Sequence, residues 1–208
     1  MAALREHVAV LHGSSDPIDD DALDRRIGLR LEESEPTESL GDLLLAYGNH
    51  RIERGDLPYA VIRELYHRLP PGGEGPLVDL GCGYGRIGFY GSLLLPGLRF
   101  RGIELVRQRV TEGRRVRDAL GLAGLELEQG DATRAAWPDT DRFCLMNPDL
   151  PSHAPALIRR LEAAGRRRRI VIASVSSTNL LLAAEPWLEE LGPRAPSRLA
   201  LRLFASRP

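Results

Sequence analysis

The sequence contains no lysine, so all 28 of its Lys and Arg residues are arginines. A lysine Schiff base and a lysine nucleophile are therefore excluded. It also has only two cysteines, Cys82 and Cys144, which lie far apart in apolar contexts. This spacing argues against a disulfide framework and against a zinc site. We predict two buried thiols in a cytoplasmic protein.

Long apolar runs are missing as well. No stretch approaches the ~18 uninterrupted apolar residues of a membrane span, and the N-terminal run MAALREHVAVLHG contains charges that argue against a secretory signal. The formal net charge is −1, so it predicts no general attraction to nucleic acid or membranes. The charge is unevenly distributed, because residues 14–46 hold ten acids and only three arginines.

Hydrophobic periodicity divides the chain into two parts. Residues 1–70 are predicted to form an N-terminal helical arm or lid, in which 13–42 is either a loosely ordered arm or two short surface helices, and 57–69 is a helix. Residues 71–208 are predicted to form an α/β core, with strands at 77–80, 99–105, 125–130, 142–147, 169–175 and 198–206 and helices at 86–95, 106–120, 152–164 and 178–191. This alternation predicts a Rossmann-like, doubly wound, mostly parallel sheet with helices on both faces.

A glycine-rich turn follows the first predicted strand. In DLGCGYG, glycines stand at 81, 83 and 85. Glycine allows positive φ and lets a ligand approach the backbone, and the helix that follows offers free N–H groups to an acceptor. Two ligand classes fit this turn, because GYGRIG also matches the G-x-G-x-x-G dinucleotide pattern.

Polar residues at the strand ends separate these classes, except for Glu104, because both classes can use an acid there for the ribose hydroxyls. Asp79 precedes the turn, Glu104 ends the second strand, Asp131 follows the third, and Asn147 leaves the fourth. The carboxyl ends of parallel strands form the ligand-binding edge of such a sheet. A dinucleotide enzyme has no standard need for an acid at 79, for Asp131 or for Asn147.

Residues 76 to about 180 resemble class I, Rossmann-like S-adenosylmethionine-dependent methyltransferases, on this four-part series and the motif DLGCGYG. A more distant similarity is to the non-SET histone-lysine methyltransferases, which have an Asn at the same strand end and an upstream Tyr-Gly element like Tyr47-Gly48. The resemblance implies that S-adenosylmethionine is the cofactor. It also implies these cofactor-binding residues: Tyr47, Asp79, Gly81, Cys82, Gly83, Gly85, Glu104, Leu105, Asp131, Ala132 and Asn147.

Within that resemblance, Asn147 and Asp149 are the candidate catalytic residues. The side-chain carbonyl of Asn147 can accept a hydrogen bond from an acceptor N–H and orient its lone pair, so we predict methyl transfer to nitrogen on a small molecule or a protein side chain. Methyltransferases that act on amino groups often have Asn-Pro-Pro-Tyr here, whereas this chain has NPDL. A nucleic acid also stays open as the methyl acceptor. We expect no metal. An NAD(P)-dependent oxidoreductase and a non-catalytic binding protein remain alternatives.

Three further expectations concern the rest of the chain. The family's C-terminal hairpin should have one strand very short or missing, because few residues follow the last predicted helix. The run GRRRR at 165–169 should be a solvated helix end and no nucleic-acid site. Glu104 should pack against nothing, so that its removal would leave the fold intact.

Overall fold

The computed structural model describes residues 1–36, 56–70, 73–146, 153–192 and 200–207. The helices are α1 (Ala2–Gly13), α2 (Asp20–Ile27), α3 (Leu31–Ser34), α4 (Tyr59–Arg68), α5 (Arg86–Leu94), α6 (Arg107–Leu120), α7 (Ala154–Gly165) and α8 (Thr178–Ala183). The strands are β1 (Leu77–Leu80), β2 (Phe100–Glu104), β3 (Leu125–Gln129), β4 (Arg142–Met146), β5 (Val171–Val175), β6 (Leu188–Leu191) and β7 (Arg202–Ser206).

The strands form one seven-stranded sheet in the order β3-β2-β1-β4-β5-β7-β6. Strands β1 to β5 pair in parallel, whereas β7 runs antiparallel to both β5 and β6. The predicted mostly parallel, doubly wound fold is therefore confirmed. Strand order reverses between β1 and β4, and in such sheets ligands bind at the carboxyl ends of the strands beside that reversal.

Apolar clusters cover both faces of the sheet. In β1 the side chains alternate, so that Leu77 belongs to one cluster, and Val78 and Leu80 belong to the other. The first cluster includes residues of α1, α2, α4, α5 and α6, and the second includes residues of α7 and α8. Because both faces are covered, β1 is buried along its whole length.

Residues 14–46, the N-terminal acidic stretch, contain the two short helices α2 and α3 in their described part. For residues 13–42 the sequence predicted either a loosely ordered arm or two short surface helices, and the described part of this range has the two helices. The helices are not superficial, however, because Leu23, Ile27 and Leu29 are buried in the same cluster as Leu77. One core thus contains residues from both sides of the predicted boundary near residue 70.

The C-terminal hairpin has one very short strand, as expected, but that strand lies where a helix was predicted. Residues 188–191 lie in the helix predicted over 178–191, but they form β6, which pairs with β7 from Leu188↔Ser206 to Leu191↔Leu203. Helix α8 ends at Ala183, and Pro186 lacks the N–H that a continuing helix needs. The hairpin is therefore complete, and its outer strand is only four residues long.

Arginines of the run at 165–169 form intramolecular ion pairs. Arg166 pairs with Glu162 at 2.7 Å, and Arg169 pairs with Glu189 of β6 at 2.6 Å. Arg168 pairs with Glu74 at 2.9 Å and also with Asp139. The run directly follows α7, so its charge also complements the negative end of that helix. In the part of the chain that the structure describes, no helix is long and apolar enough to cross a membrane.

Candidate active site

A cleft of about 180 Å³ opens at the carboxyl ends of β1 and β2. It lies beside the strand-order reversal, where the sequence predicted a ligand site. Of the predicted cofactor residues, those that line it are Asp79, Gly81, Cys82, Gly83, Glu104, Leu105, Asp131 and Ala132. Tyr47, Asn147 and Asp149 lie outside the described residues.

The glycine turn between β1 and α5 uses its glycines for two purposes. Gly81, Gly83 and Gly85 all have positive φ, at 92°, 54° and 90°. A Cβ added at Gly81 or Gly83 would meet no atom within 4 Å, whereas at Gly85 it would lie 3.1 Å from Leu127. The first two glycines therefore leave room in front of the backbone, and the third permits the close approach of α5 to β3.

Asp79 is the deepest acid of the cleft. It lies within β1, is 2% exposed, and its Oδ1 has no hydrogen-bond partner among the described residues. Burial, and to a smaller extent the charge of Glu104, raises the pKa of this carboxyl to about 8. A buried carboxylate oxygen without a donor is costly in a folded protein. A cationic amino group in the cleft would supply the missing donor and would stabilise the ionised form.

Glu104 ends β2 and is bonded to the glycine turn. Its Oε2 accepts the N–H of Gly83 at 2.9 Å, and its Oε1 accepts the N–H of Val106 at 3.0 Å. The side chain is 6% exposed. The expectation that this acid packs against nothing is therefore wrong, because it ties the turn to the start of α6. Each carboxylate oxygen has a second lone pair, so Glu104 can still accept hydroxyl donors.

Asp131 lies in the turn after β3. Its Oδ1 accepts the N–H of Thr133 at 2.8 Å and the hydroxyl of the same residue at 2.7 Å. Its Oδ2 lies 3.5 Å from Nε of Arg134. Asp131 thus caps its own turn, and it lines the cleft as well.

The cleft is also lined by two arginines, Arg86 and Arg109, that no sequence motif pointed to. Arg86 begins α5, and its Nε donates to Oδ1 of Asp24 at 3.1 Å. A cation at a helix N-terminus is unfavourable, and Asp24 compensates for it. Tyr59 completes this buried group by donating its hydroxyl to Asp24 at 2.7 Å. The second arginine, Arg109 of α6, pairs with Glu35.

The remaining lining residues are mostly apolar. They include Leu57, Met146 and Leu157, together with the polar Asp56 and His153. Met146 ends β4 and His153 precedes α7, so the residues on each side of 147–152 both contact the cleft. Among the described residues, no group of three or more His, Cys, Asp or Glu side chains could hold a metal ion.

No family model and no curated protein matches this sequence. Solved structures do match. TrmN from Thermus thermophilus is 14% identical at a TM-score of 0.58, over 99% of this chain and 78% of TrmN. A methyltransferase from Geobacter sulfurreducens is 19% identical at a TM-score of 0.54, over 93% of this chain and 99% of the other. The precorrin-6y C5,15-methyltransferase from Geobacter metallireducens is 16% identical at a TM-score of 0.56, over 76% of this chain and 93% of the other.

The chain has the fold of class I methyltransferases. At these identities the likeness concerns the fold alone, and function has to be argued from the site. In this fold the predicted acids of β1, β2 and the turn after β3 converge on one cleft. Topology explains this convergence, because β1, β2 and β3 are neighbours in the sheet.

Proposed function

We propose that this protein is an S-adenosylmethionine-dependent methyltransferase that transfers a methyl group to nitrogen. The observation that carries the proposal is the buried Asp79, which has an unpartnered oxygen beside an open glycine turn. The cofactor presents an ammonium group, and few other common nucleoside ligands do. The fold shared with known methyltransferases supports the cofactor assignment.

The residues of the cleft fit such a cofactor. Asp79 would accept the methionine ammonium, Glu104 the ribose hydroxyls, and Asp131 the adenine amino group. The space in front of Gly81 and Gly83 would admit the cofactor to contact with the backbone. The sulfonium supplies an activated methyl group, so the protein has mainly to align the acceptor and exclude water.

Asn147 and Asp149 stay our candidate catalytic residues. We propose that the Asn147 carbonyl orients the acceptor nitrogen, which needs no strong base if it attacks as a neutral amine. His153 lines the cleft and is a further candidate for receiving the released proton. A carbon acceptor is the main competitor, because one structural neighbour is a C5,15-methyltransferase. The acceptor would be a small molecule or a protein side chain.

A dinucleotide fits this cleft less well. A pyrophosphate carries negative charge, and the cleft presents Asp79, Glu104 and Asp131. Arg86, the cation nearest to the glycine turn in sequence, is already paired with Asp24. An NAD(P)-dependent oxidoreductase is therefore disfavoured by charge. A non-catalytic binding protein would keep the cofactor site and would differ only in the absence of turnover.

Two measurements test the proposal. Calorimetry with S-adenosylhomocysteine and with NAD should show binding of the first in the micromolar range. Turnover assays with candidate amines, followed by mass spectrometry that assigns the bond to the new methyl group, should identify an N-methyl product. Binding of NAD alone would overturn the cofactor assignment, and an O-methyl or C-methyl product would overturn the acceptor assignment.

The other parts of the proposal follow the sequence. Residues 71–208 would form the cofactor-binding core and residues 1–70 would contribute to acceptor specificity. We propose no membrane partner, and neither the net charge of −1 nor the run at 165–169, whose arginines are paired within the chain, gives a strong signal for nucleic acid. Cys82 and Cys144 are free and buried, in keeping with the cytoplasmic location that the sequence predicts.

A further inference from the structure

The two arginines of the cleft are each held by an acid from the N-terminal acidic stretch. Asp24 of α2 binds Arg86, and Glu35, just after α3, binds Arg109. These acids lie 62 and 74 residues before their partners in sequence. Two of the ten acids of residues 14–46 therefore have a local role at the cleft, which the proposed function alone does not explain.

Arg109 is placed between two carboxylates. Its Nε and Nη2 donate to the two oxygens of Glu35 at 2.8 and 2.9 Å, a bidentate pair. Its Nη1 lies 3.9 Å from Oε1 of Glu104. Glu35 is fixed in turn by the hydroxyl of Tyr84 in the glycine turn, which donates to it at 2.7 Å.

Arg109 could form a hydrogen-bonded ion pair with either Glu35 or Glu104, and in this arrangement it does so with Glu35. The side chains of Arg109 and Glu104 are both 8% exposed, so a direct bond between them would be weakly screened by water. The Nη1 atom needs to move only about 1 Å to reach hydrogen-bond distance from Glu104. In that position it would occupy the carboxylate that we assign to the ribose hydroxyls.

We propose that Glu35 is a positioning residue that keeps Arg109, already 3.9 Å from Glu104, from closing to hydrogen-bond distance, and so keeps Glu104 available to the cofactor. This inference rests on the proposed function. Without the Glu35 charge, Arg109 turns to Glu104 and competes with the ribose. Asp24 and Glu35 then act as internal counter-charges for the two arginines of the cleft.

Binding of S-adenosylhomocysteine, measured by calorimetry, tests this competition. Glu35→Gln should bind about tenfold more weakly, the scale of one hydrogen bond to a charged group. The double variant Glu35→Gln/Arg109→Gln should bind more tightly than Glu35→Gln, because the competing cation is gone. A purely structural role for Glu35 would make the double variant no better than the single one, which would overturn the proposal.

A matched control is Glu32→Gln, the same change on an exposed side chain of α3, and its affinity should stay within about twofold of wild type. Thermal unfolding without ligand checks that each variant folds. If Glu35→Gln does not fold, Glu35→Asp keeps the charge but is one methylene too short for the bidentate pair. It should then show a smaller loss that Arg109→Gln again relieves, and a loss that is not relieved would count against the proposal.

A crystal structure of the ligand-free Glu35→Gln variant gives a readout that does not depend on the cofactor. Arg109 should be found within about 3.2 Å of Glu104. If Arg109 stays where it is or turns toward solvent, the proposal is wrong whatever the protein binds. Failure of the wild-type protein to bind S-adenosylhomocysteine would instead contradict the proposed function.

Discussion

At the scale of single residues, the ionised form of Asp79 lowers the stability of the ligand-free protein but is the form that would bind a cationic ligand. Its pKa is about 8 in the folded protein and 3.8 in the reference state. Between these values the native state retains a proton that the unfolded state has lost, so stability falls as pH rises through this window. A cation bound beside Asp79 would offset that cost.

Asp79→Asn tests this conflict directly, because Asn has the same shape and no charge. As pH rises from about 5 to about 8, the unfolding temperature of the ligand-free variant should rise relative to that of wild type, because only wild type has a carboxyl to ionise at this position. Its affinity for S-adenosylhomocysteine should fall by about tenfold or more, since a charge-assisted bond is lost. A stability difference that does not change with pH would contradict the raised pKa.

Glu104 has two roles that one substitution removes together. Glu104→Ala should weaken cofactor binding by roughly 2–3 kcal/mol, the scale of hydrogen bonds to a charged group. It should also lower the unfolding temperature of the ligand-free protein, because the N–H groups of Gly83 and Val106 lose their acceptor. Glu126→Ala, at an exposed position of β3, is the control. Full affinity in Glu104→Ala would remove this acid from the proposed site.

At the scale of elements, α7 holds the turn after β3. Arg160 of α7 donates to the carbonyl oxygens of Ala132 and Ala135, both at 2.7 Å. Its guanidinium lies over the ring of Trp137 at 4.0 Å, and the indole N–H of Trp137 donates to Ala132 at 3.0 Å. The backbone beside Asp131 is therefore fixed by a helix that also contributes Leu157 to the cleft.

Arg160→Met should loosen this turn while its side chain still covers Trp137. We expect affinity for S-adenosylhomocysteine to fall several-fold and its preference over S-inosylhomocysteine, which lacks the adenine amino group, to shrink. Trp137 fluorescence should change in the ligand-free variant. Arg159→Met, at an exposed neighbouring position, should change none of these. An unaltered preference between the two ligands would show that Arg160 does not act on adenine recognition.

The elements also show what the sequence could predict. Strands β1, β2, β4 and β5 were predictable because they are short, mostly buried runs between turn signals, and β3 was predictable because its apolar and polar residues alternate. The acids at the strand ends were predictable site residues because topology brings strand ends together. Strand β6 was not, since LEEL continues a helical pattern and only pairing with β7 makes it a strand. The partners of Arg86 and Arg109 were hidden as well, because no local pattern links residues 62 and 74 positions apart.

At the scale of the whole molecule, the N-terminal helices share the main core. The sequence predicted an arm or lid over residues 1–70. Leu4, Val8, Leu23 and Ile27 are instead buried against residues of α4 and α5 in one cluster. The pair between Asp24 and Arg86 adds a buried charge contact between α2 and the first residue of α5.

Removal of residues 1–36 should therefore unfold the protein and not merely uncover its site. Burial of one Leu, Val or Ile side chain contributes about 1.5–3 kcal/mol, and the truncation removes Leu4, Val8, Leu23, Ile27 and Leu29 from the core. These losses together reach the roughly 5–15 kcal/mol that holds a domain folded. Circular dichroism melting should show no cooperative transition above about 25 °C, whereas a control that lacks only Met1 and Ala2 should melt like wild type. A truncated protein that melts cooperatively and still binds S-adenosylhomocysteine would restore the interpretation of this part as a separable lid.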